Sequence, residues 1–391
     1  TASARLAKRR SVVEAGSQHL AQRHRRNQSR GSAPETVLSS PKAGTARTSS
    51  SLLAFASAAQ TATQNLRHKS HDRAEGPAPS LQLQTDKEVL RWRAILNKPG
   101  DPFRRGKDGK VRGHRAMVGS AGVHPSLRHL VWPRVLQVEK RRSANTGLYA
   151  RSLAVALQAD VEHTIEVDVV RTMPNHRLFW VGGAQIGVES LRRVLHAYAV
   201  FMPEIGYCQG MSSVAAMLLM HSTSEEESFF MMVEFMERFE YTEVYKHGFP
   251  RLWEWLNQFD KLALKFVPET AKRLRSMGVE TELYADKWFI TALTYNFPHT
   301  VLLRMWDFLL FEGNPKIIFR AGLAVLKLAG PILKNMQFDD ILPFMQKHFG
   351  DAEHRLMADA NKFINTCYSF KFKRKRMESS GQSKLPCMKP A

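Results

Sequence analysis

Between His114 and about Thr366, nearly every segment repeats its apolar side chains at steps of three and four, with Pro or Gly at the breaks. That spacing lines one face of a helix, whereas a half-buried strand needs alternation at every second residue. No sustained period-two run and no Asn-Gly hairpin signal occurs. Leu127, Leu130, Val131, Val135 and Leu136 form one stripe; Leu191, Val194, Leu195 and Tyr198 form another, closed by Pro203 and Gly206. The segments 229–239, 252–266, 288–297, 317–328 and 341–349 read as further helices. The body is therefore expected to be all-α and two-lobed, with an N-lobe over about 114–240 and a C-lobe over about 241–366.

Charge divides the chain at the same places. Of 57 Lys and Arg against 36 Asp and Glu, residues 1–120 hold 23 and 8, residues 121–370 hold 27 and 27, and residues 371–391 hold 7 and 1. A neutral body thus carries two basic ends. This excludes the evenly basic folded surface typical of a nucleic-acid-binding domain.

Residues 1–83 are rich in Ser, Ala, Thr, Gln and Arg and contain one aromatic, Phe55. So little apolar area cannot offset an ordering entropy of roughly 1–2 kcal/mol per residue, and the stretch reads as a disordered basic tail. Its scarcity of acidic residues also fits a mitochondrial or plastid transit peptide. Residues 84–113 read as a linker. It begins with a short docking helix in DKEVLRWRAIL, stopped by Asn97, Pro99 and Gly100, and continues as the basic loop PFRRGKDGKVRG. Its Gly-Lys pairs lack the spacing of a phosphate loop, so the chain is expected to bind no nucleotide of its own. Residues 367–391 form a second basic tail carrying KFKRKR. Either tail could stay solvated or meet an anionic membrane, at roughly 1 kcal/mol per basic residue near the surface. Nucleic acid is disfavoured, because one aromatic in the first 91 residues offers no stacking platform.

Cys208, Cys367 and Cys387 are too few and too scattered for a disulfide framework or a zinc site, which points to a reducing compartment. No run reaches 18 apolar residues, so a soluble, cytoplasmic protein is expected.

Three constellations could carry chemistry. In IEVDVVRTMPNH, steps of three put Ile165, Asp168 and Arg171 on one helical face, where Asp168 can hold the Arg171 guanidinium. Pro174 disfavours helix at Met173, leaving Arg171 near a helix end. The arrangement is either an ordinary surface ion pair or a steadied, outward-pointing cation. In IGYCQGMSSVAAMLLM, Gly206 and Gly210 bracket Tyr207, Cys208 and Gln209, so a sharp turn can present them just before an apolar helix. Gln209 both donates and accepts, which suits either orienting a water or satisfying loop backbone. Cys208 reads as a small buried side chain, since no His has a spacing that marks it as a partner. The third set bears tryptophans: Arg128 and Trp132 lie four apart, and Arg304 and Asp307 lie three apart around Trp306. Structural duty is the first reading for these.

In this order the motifs resemble the TBC domain of Rab GTPase-activating proteins. Arg128 to Trp132 looks like the family's Arg-x3-Trp motif. Ile165, Asp168 and Arg171, followed by Thr172, Pro174, His176 and Phe179, resemble its finger motif. Tyr207 and Gln209 resemble its Tyr-x-Gln motif, extended by Gly210 and Met211. Lys287-Trp288-Phe289, Phe297-Pro298, Arg304-x-Trp306-Asp307 and Gly313 resemble the second half, and the similarity covers about residues 84–366. Two places depart: Gly122-Val123-His124-Pro125 stands where the family usually has Gly-Ile-Pro, and Ala292-Leu293 where it often has Leu-Phe.

The resemblance implies an activator of GTP hydrolysis that has no self-contained catalytic activity and works on a GTP-bound Rab-family GTPase. GTP and magnesium would belong to the partner, and this chain would need no cofactor or metal of its own. Arg171 would reach the phosphates and Gln209 would position water, with Tyr207 bracing the turn. Asp168, Ile165, Gly206, Gly210, Arg128 and Trp132 would support the site or bind the partner. A role in vesicle trafficking at the surface of endomembranes would follow. The alternative is a TBC-fold adaptor that binds a GTPase or a trafficking scaffold without catalysis.

Overall fold

A computed structural model describes residues 79–107, 109–111, 122–174, 176–179, 186–347, 349 and 355–372. The expectations for the tails at 1–78 and 373–391 lie outside the described residues. Among those described there are sixteen α-helices and no strand beyond one isolated bridge, Arg105 to Val111. The first lobe holds α2 (Arg128–Leu136), α3 (Val138–Ala144), α4 (Leu148–Leu153), α5 (Ala159–Val169), α6 (Ile186–Phe201), α7 (Met211–Leu219) and α8 (Glu225–Arg238). They follow α1 (Pro79–Leu96). After the short α9 (Tyr241–Tyr245) come α10 (Pro250–Phe266), α11 (Pro268–Ser276), α12 (Glu282–Ile290), α13 (His299–Glu312), α14 (Lys316–Leu333), α15 (Phe338–Gln346) and α16 (Ala360–Ser369). None of these helices is long and apolar enough to cross a membrane.

Each lobe forms around its most apolar helices. In the first, α6 packs on α4, α5, α7 and α8; every residue of α7 except Ser213 is buried, as an all-round apolar helix requires. Ser224 starts α8 by accepting the Glu227 N–H at 3.1 Å, and Glu227 accepts the Thr223 N–H at 2.6 Å. These two bonds satisfy N–H groups that the helix start would otherwise leave without partners. In the second lobe α14 packs on α10, α11, α12, α13 and α16.

The lobes meet along α2 and α13. Trp306 of α13 lies between two rings of the first lobe, Trp132 at 5.8 Å and Phe235 at 5.0 Å. Beside it the buried Asp307 carboxylate accepts from Arg128 Nη2 at 3.0 Å, Trp132 Nε1 at 2.8 Å and the Val123 N–H at 2.9 Å. Gly122 has φ +80°, and a Cβ there would stand 2.6 Å from Asp307 Oδ2, so the chain can pass this carboxylate only as glycine. Asp307 thus turns to Arg128, 179 positions away, and among the described residues no hydrogen bond joins it to Arg304.

The structure revises three of the sequence expectations. The first helix starts at Pro79 rather than near Asp86. The segment expected to be helical to Phe297 leaves the helix after Ile290, because Ala292 and Leu293 take φ of 49° and 72°. The last expected helix, 341–349, instead spans Phe338–Gln346. The basic stretch 102–113 is a loop at its described residues, and it is anchored: Phe103 and Val111 are fully buried, and Trp92 and Phe103 both pack edge-on to Phe311. Arg105 donates from Nη1 to Gly109 O at 2.6 Å, and from Nη2 to Val135 O of α2 at 3.0 Å and Leu310 O of α13 at 2.8 Å. Burial pulls its guanidinium down to about 10. A side chain available in sequence to grip phosphate is consumed in holding the lobes.

Candidate functional site

Asp160 and Glu162 lie in the first turn of α5, where carboxylates suit the positive end of the helix dipole. Ile165 and Asp168 both point inward and are buried. The helix ends at Val169, and Arg171 occupies the turn that follows, its N–H reaching Asp168 O at 3.3 Å. Met173, ahead of Pro174, takes φ 49° and directs the chain away. Thr172 Oγ1 lies 2.7 Å from Asp168 O and 2.9 Å from Ser212 Oγ, tying this turn to the start of α7. Sequence spacing gave no sign of that tie.

Asp168 is the hub. Oδ1 pairs with Arg171 Nη2, and Oδ2 accepts the Tyr207 hydroxyl at 2.6 Å. Half of the Arg171 side chain stays exposed while the Asp168 carboxylate is buried. The cation is therefore held at its base and open at its tip. Tyr207 is kept a neutral donor, since burial and then the Asp168 charge push its phenol well above the usual range.

Gly206 and Gly210 have φ of 59° and 103°, so the turn between them requires a left-handed backbone at both ends. The two glycines face different lobes: a Cβ on Gly206 would meet Val161 of α5 at 4.0 Å, and one on Gly210 would meet Thr291 and Ile290, at the end of α12, at 3.6–3.8 Å. The turn is thus seated where the lobes adjoin. Gln209 is exposed at its tip, and its side chain makes no hydrogen bond among the described residues. The Cys208 thiol is pushed up to about 12 by burial and then by Asp168, which leaves it a poor nucleophile.

The structure therefore brings Arg171, Asp168 and Tyr207 into one bonded unit that carries Gln209 two residues on, with Ile165 beneath and the two glycines at the ends of the turn. Arg128 and Trp132 are elsewhere. Both are buried on Asp307 between the lobes, where they hold the junction and cannot touch a partner. Among the described residues no group of three His, Cys, Asp or Glu could hold a metal ion. What the site offers is one positioned cation beside one free amide. That pair can stabilise charge building on phosphoryl oxygens and orient a water.

A family model described as the Rab-GTPase-TBC domain matches residues 125–333, more than half of the chain. The chain belongs to this family. The chain is also similar to curated proteins: the human ecotropic viral integration site 5 protein homolog is 28% identical over 296 residues, which cover 76% of this chain and 35% of that protein. GTPase-activating protein GYP5 of Saccharomyces cerevisiae is 30% identical over 225 residues, or 58% of this chain and 24% of GYP5. Mouse Carabin is 32% identical over 256 residues, covering 64% of this chain and 54% of Carabin. The chain thus spans about a quarter to a half of the length of these relatives. Two solved TBC structures share the fold: the Chlamydomonas flagellar RabGAP TBC domain, with TM-score 0.61 at 24% identity over 74% of this chain and 93% of that one, and the Ypt/Rab-GAP domain of Gyp1p, with TM-score 0.60 at 17% identity over 73% and 98%.

The two departures from the usual TBC pattern have local structural roles. His124 Nδ1 accepts the Ser126 N–H at 3.4 Å and caps the short 3₁₀ turn before α2. Ala292 and Leu293 make the left-handed exit from α12, with the Leu293 N–H returning to Trp288 O at 2.8 Å.

Proposed function

We propose that the chain is a GTPase-activating protein that accelerates GTP hydrolysis by a Rab-family GTPase and supplies Arg171 and Gln209 in trans. The observation that carries this reading is the Asp168 carboxylate, which holds the base of the half-exposed Arg171 and the Tyr207 end of the Gln209 turn at once. Phosphoryl transfer needs little covalent help from the protein; it needs charge stabilisation on the transferring oxygens and an aligned water. Arg171 supplies the first and the Gln209 amide the second. GTP and magnesium come with the GTPase, and this chain contributes side chains only.

The test is GTP hydrolysis by a panel of purified Rab GTPases with and without the chain. Arginine fingers contribute roughly 10³–10⁵ in rate, so Arg171→Ala is expected to lose at least about a thousandfold of the acceleration. Gln209→Ala is expected to cut it steeply as well. Gln209 is exposed and its side chain unbonded, so its loss should change stability by no more than about 0.5 kcal/mol, whereas Arg171→Ala also takes a partner from the buried Asp168 and should cost about 1–3 kcal/mol with the fold retained. Full acceleration by both variants would overturn the mechanism. Binding of a GTP-loaded Rab without any acceleration by the unsubstituted chain would identify an adaptor.

A further inference from the structure

We propose that Tyr295 and Lys287 form the second-lobe half of the surface on which the GTPase docks, beside Gln209 and across from Arg171. The inference rests on the function proposed above and extends it to partner contact.

It begins with the seat of the Gln209 turn. A Cβ at Gly210 would stand 3.6–3.8 Å from Thr291 and Ile290, so the glycine lies beside the end of α12. Thr291 Oγ1 donates to Lys287 O at 2.6 Å and lies 3.3 Å from the Tyr295 N–H, which donates to it. One threonine therefore lies beside the glycine next to Gln209 and fixes the backbone at both Lys287 and Tyr295. The Lys287 ammonium lies over the Tyr295 ring, 4.6 Å from its centroid.

The backbone here is held far more firmly than an exposed loop requires. Tyr241 and Tyr245 of α9 donate their hydroxyls to Phe289 O and Ile290 O, each at 2.6 Å, and Trp306 Nε1 donates to Ala292 O at 3.0 Å. Asn296 donates to Gln346 O at 2.9 Å and accepts the Phe349 N–H at 2.7 Å. Between these anchors Ala292 and Leu293 sit in the left-handed region, at a cost of about 1–3 kcal/mol each for a residue with a side chain. What this strained, many-times-anchored segment displays is one aromatic ring, 54% exposed, with buried neighbours at Leu293 and Phe297. Among the described residues only the Lys287 ammonium lies over that ring, and the rest of it faces outward.

Charge and continuity identify the occupant. Arg171 and Lys287 place positive charge on either side of the Gln209 turn, matching the negative charge of a nucleotide-loaded GTPase. Tyr is among the side chains that dominate contact energy when an interface covers them. A protein that delivers its nucleotide to Arg171 must lie against the end of α12, because Gly210 sets that end beside the catalytic turn.

The experiment measures acceleration by the full 391-residue chain against increasing concentrations of the purified GTP-loaded Rab that responds best in a panel. Tyr295→Ala is expected to raise KM on the order of tenfold or more while kcat changes less than about threefold. Tyr295→Phe, which keeps the ring, should stay within about threefold of the unsubstituted KM, and Lys287→Gln should raise KM most at low salt. Gln209→Ala serves as the contrast, acting on kcat. An unsubstituted chain that accelerates hydrolysis together with a Tyr295→Ala variant of unchanged KM would overturn this inference alone. No acceleration of any Rab by the unsubstituted chain would overturn the underlying reading and this one with it.

Discussion

Tyr207 and Asp168, 39 positions apart, are joined by a 2.6 Å hydrogen bond between a phenol held neutral and a buried carboxylate. The bond links the two segments that carry Arg171 and Gln209, so moving either segment strips a donor from Asp168. Tyr207→Phe leaves that carboxylate short of one partner in a buried place. The expected loss is about 1–3 kcal/mol of stability, read from the midpoint of urea unfolding. Unlike Gln209→Ala, this variant should lower both stability and GTPase acceleration, and an unchanged midpoint would remove Asp168 as the shared anchor.

Asp307 makes a harsher test of the lobe junction. Asp307→Ala would leave the Arg128 guanidinium buried without its partner and the Trp132 and Val123 donors without an acceptor. Breaking a buried ion pair from one side costs about 3–5 kcal/mol. Thermal unfolding should show this loss, and the double variant Arg128→Met, Asp307→Leu should recover part of it, because an apolar pair leaves no charge behind. A single Asp307→Ala variant as stable as the parent would mean the pair does not hold the lobes.

Stability should also fall in mild acid. His221 stacks on Trp132 at 4.2 Å and donates from Nδ1 to Met217 O at 2.9 Å, and burial, then the nearby Arg128, His299 and His176, holds its pKa well below 6.5. The unfolded chain takes up a proton as pH falls through 6.5, whereas the folded ring refuses it. The contribution is complete above that pH and is lost below it, by at most about 1.4 kcal/mol per pH unit for one such ring. Urea midpoints at pH 7.5 and 5.5 should differ less in His221→Asn than in the parent; equal differences would exclude His221 as the source.

What sequence could reveal here was local. Steps of three placed Asp168 beside Arg171, and the glycines at 206 and 210 marked a turn, because both signals lie within a few residues. The partners of Asp307 lie 175 to 184 positions away, and the Tyr207 to Asp168 bond 39 away; no periodicity carries such information. Spacing set Arg304 three residues from Asp307, yet packing brought in Arg128. Helices of five to seven residues, such as α3, α4 and α9, are too short to show a repeat. The end of α12 looked helical since its apolar spacing continues past Thr291, and only the left-handed pair at 292 and 293 breaks it.

Arg105 fixes the junction of the two lobes. One guanidinium holds a carbonyl of α2 and a carbonyl of α13, alongside the carboxylate of Asp307, which gathers three donors from the first lobe. Any hinge motion between these helices must give up several buried, charge-assisted bonds together. On the proposed function, a GTPase would therefore meet lobes already fixed in place, and candidate GTPases would be sorted by how well they fit them rather than by how far the domain adjusts.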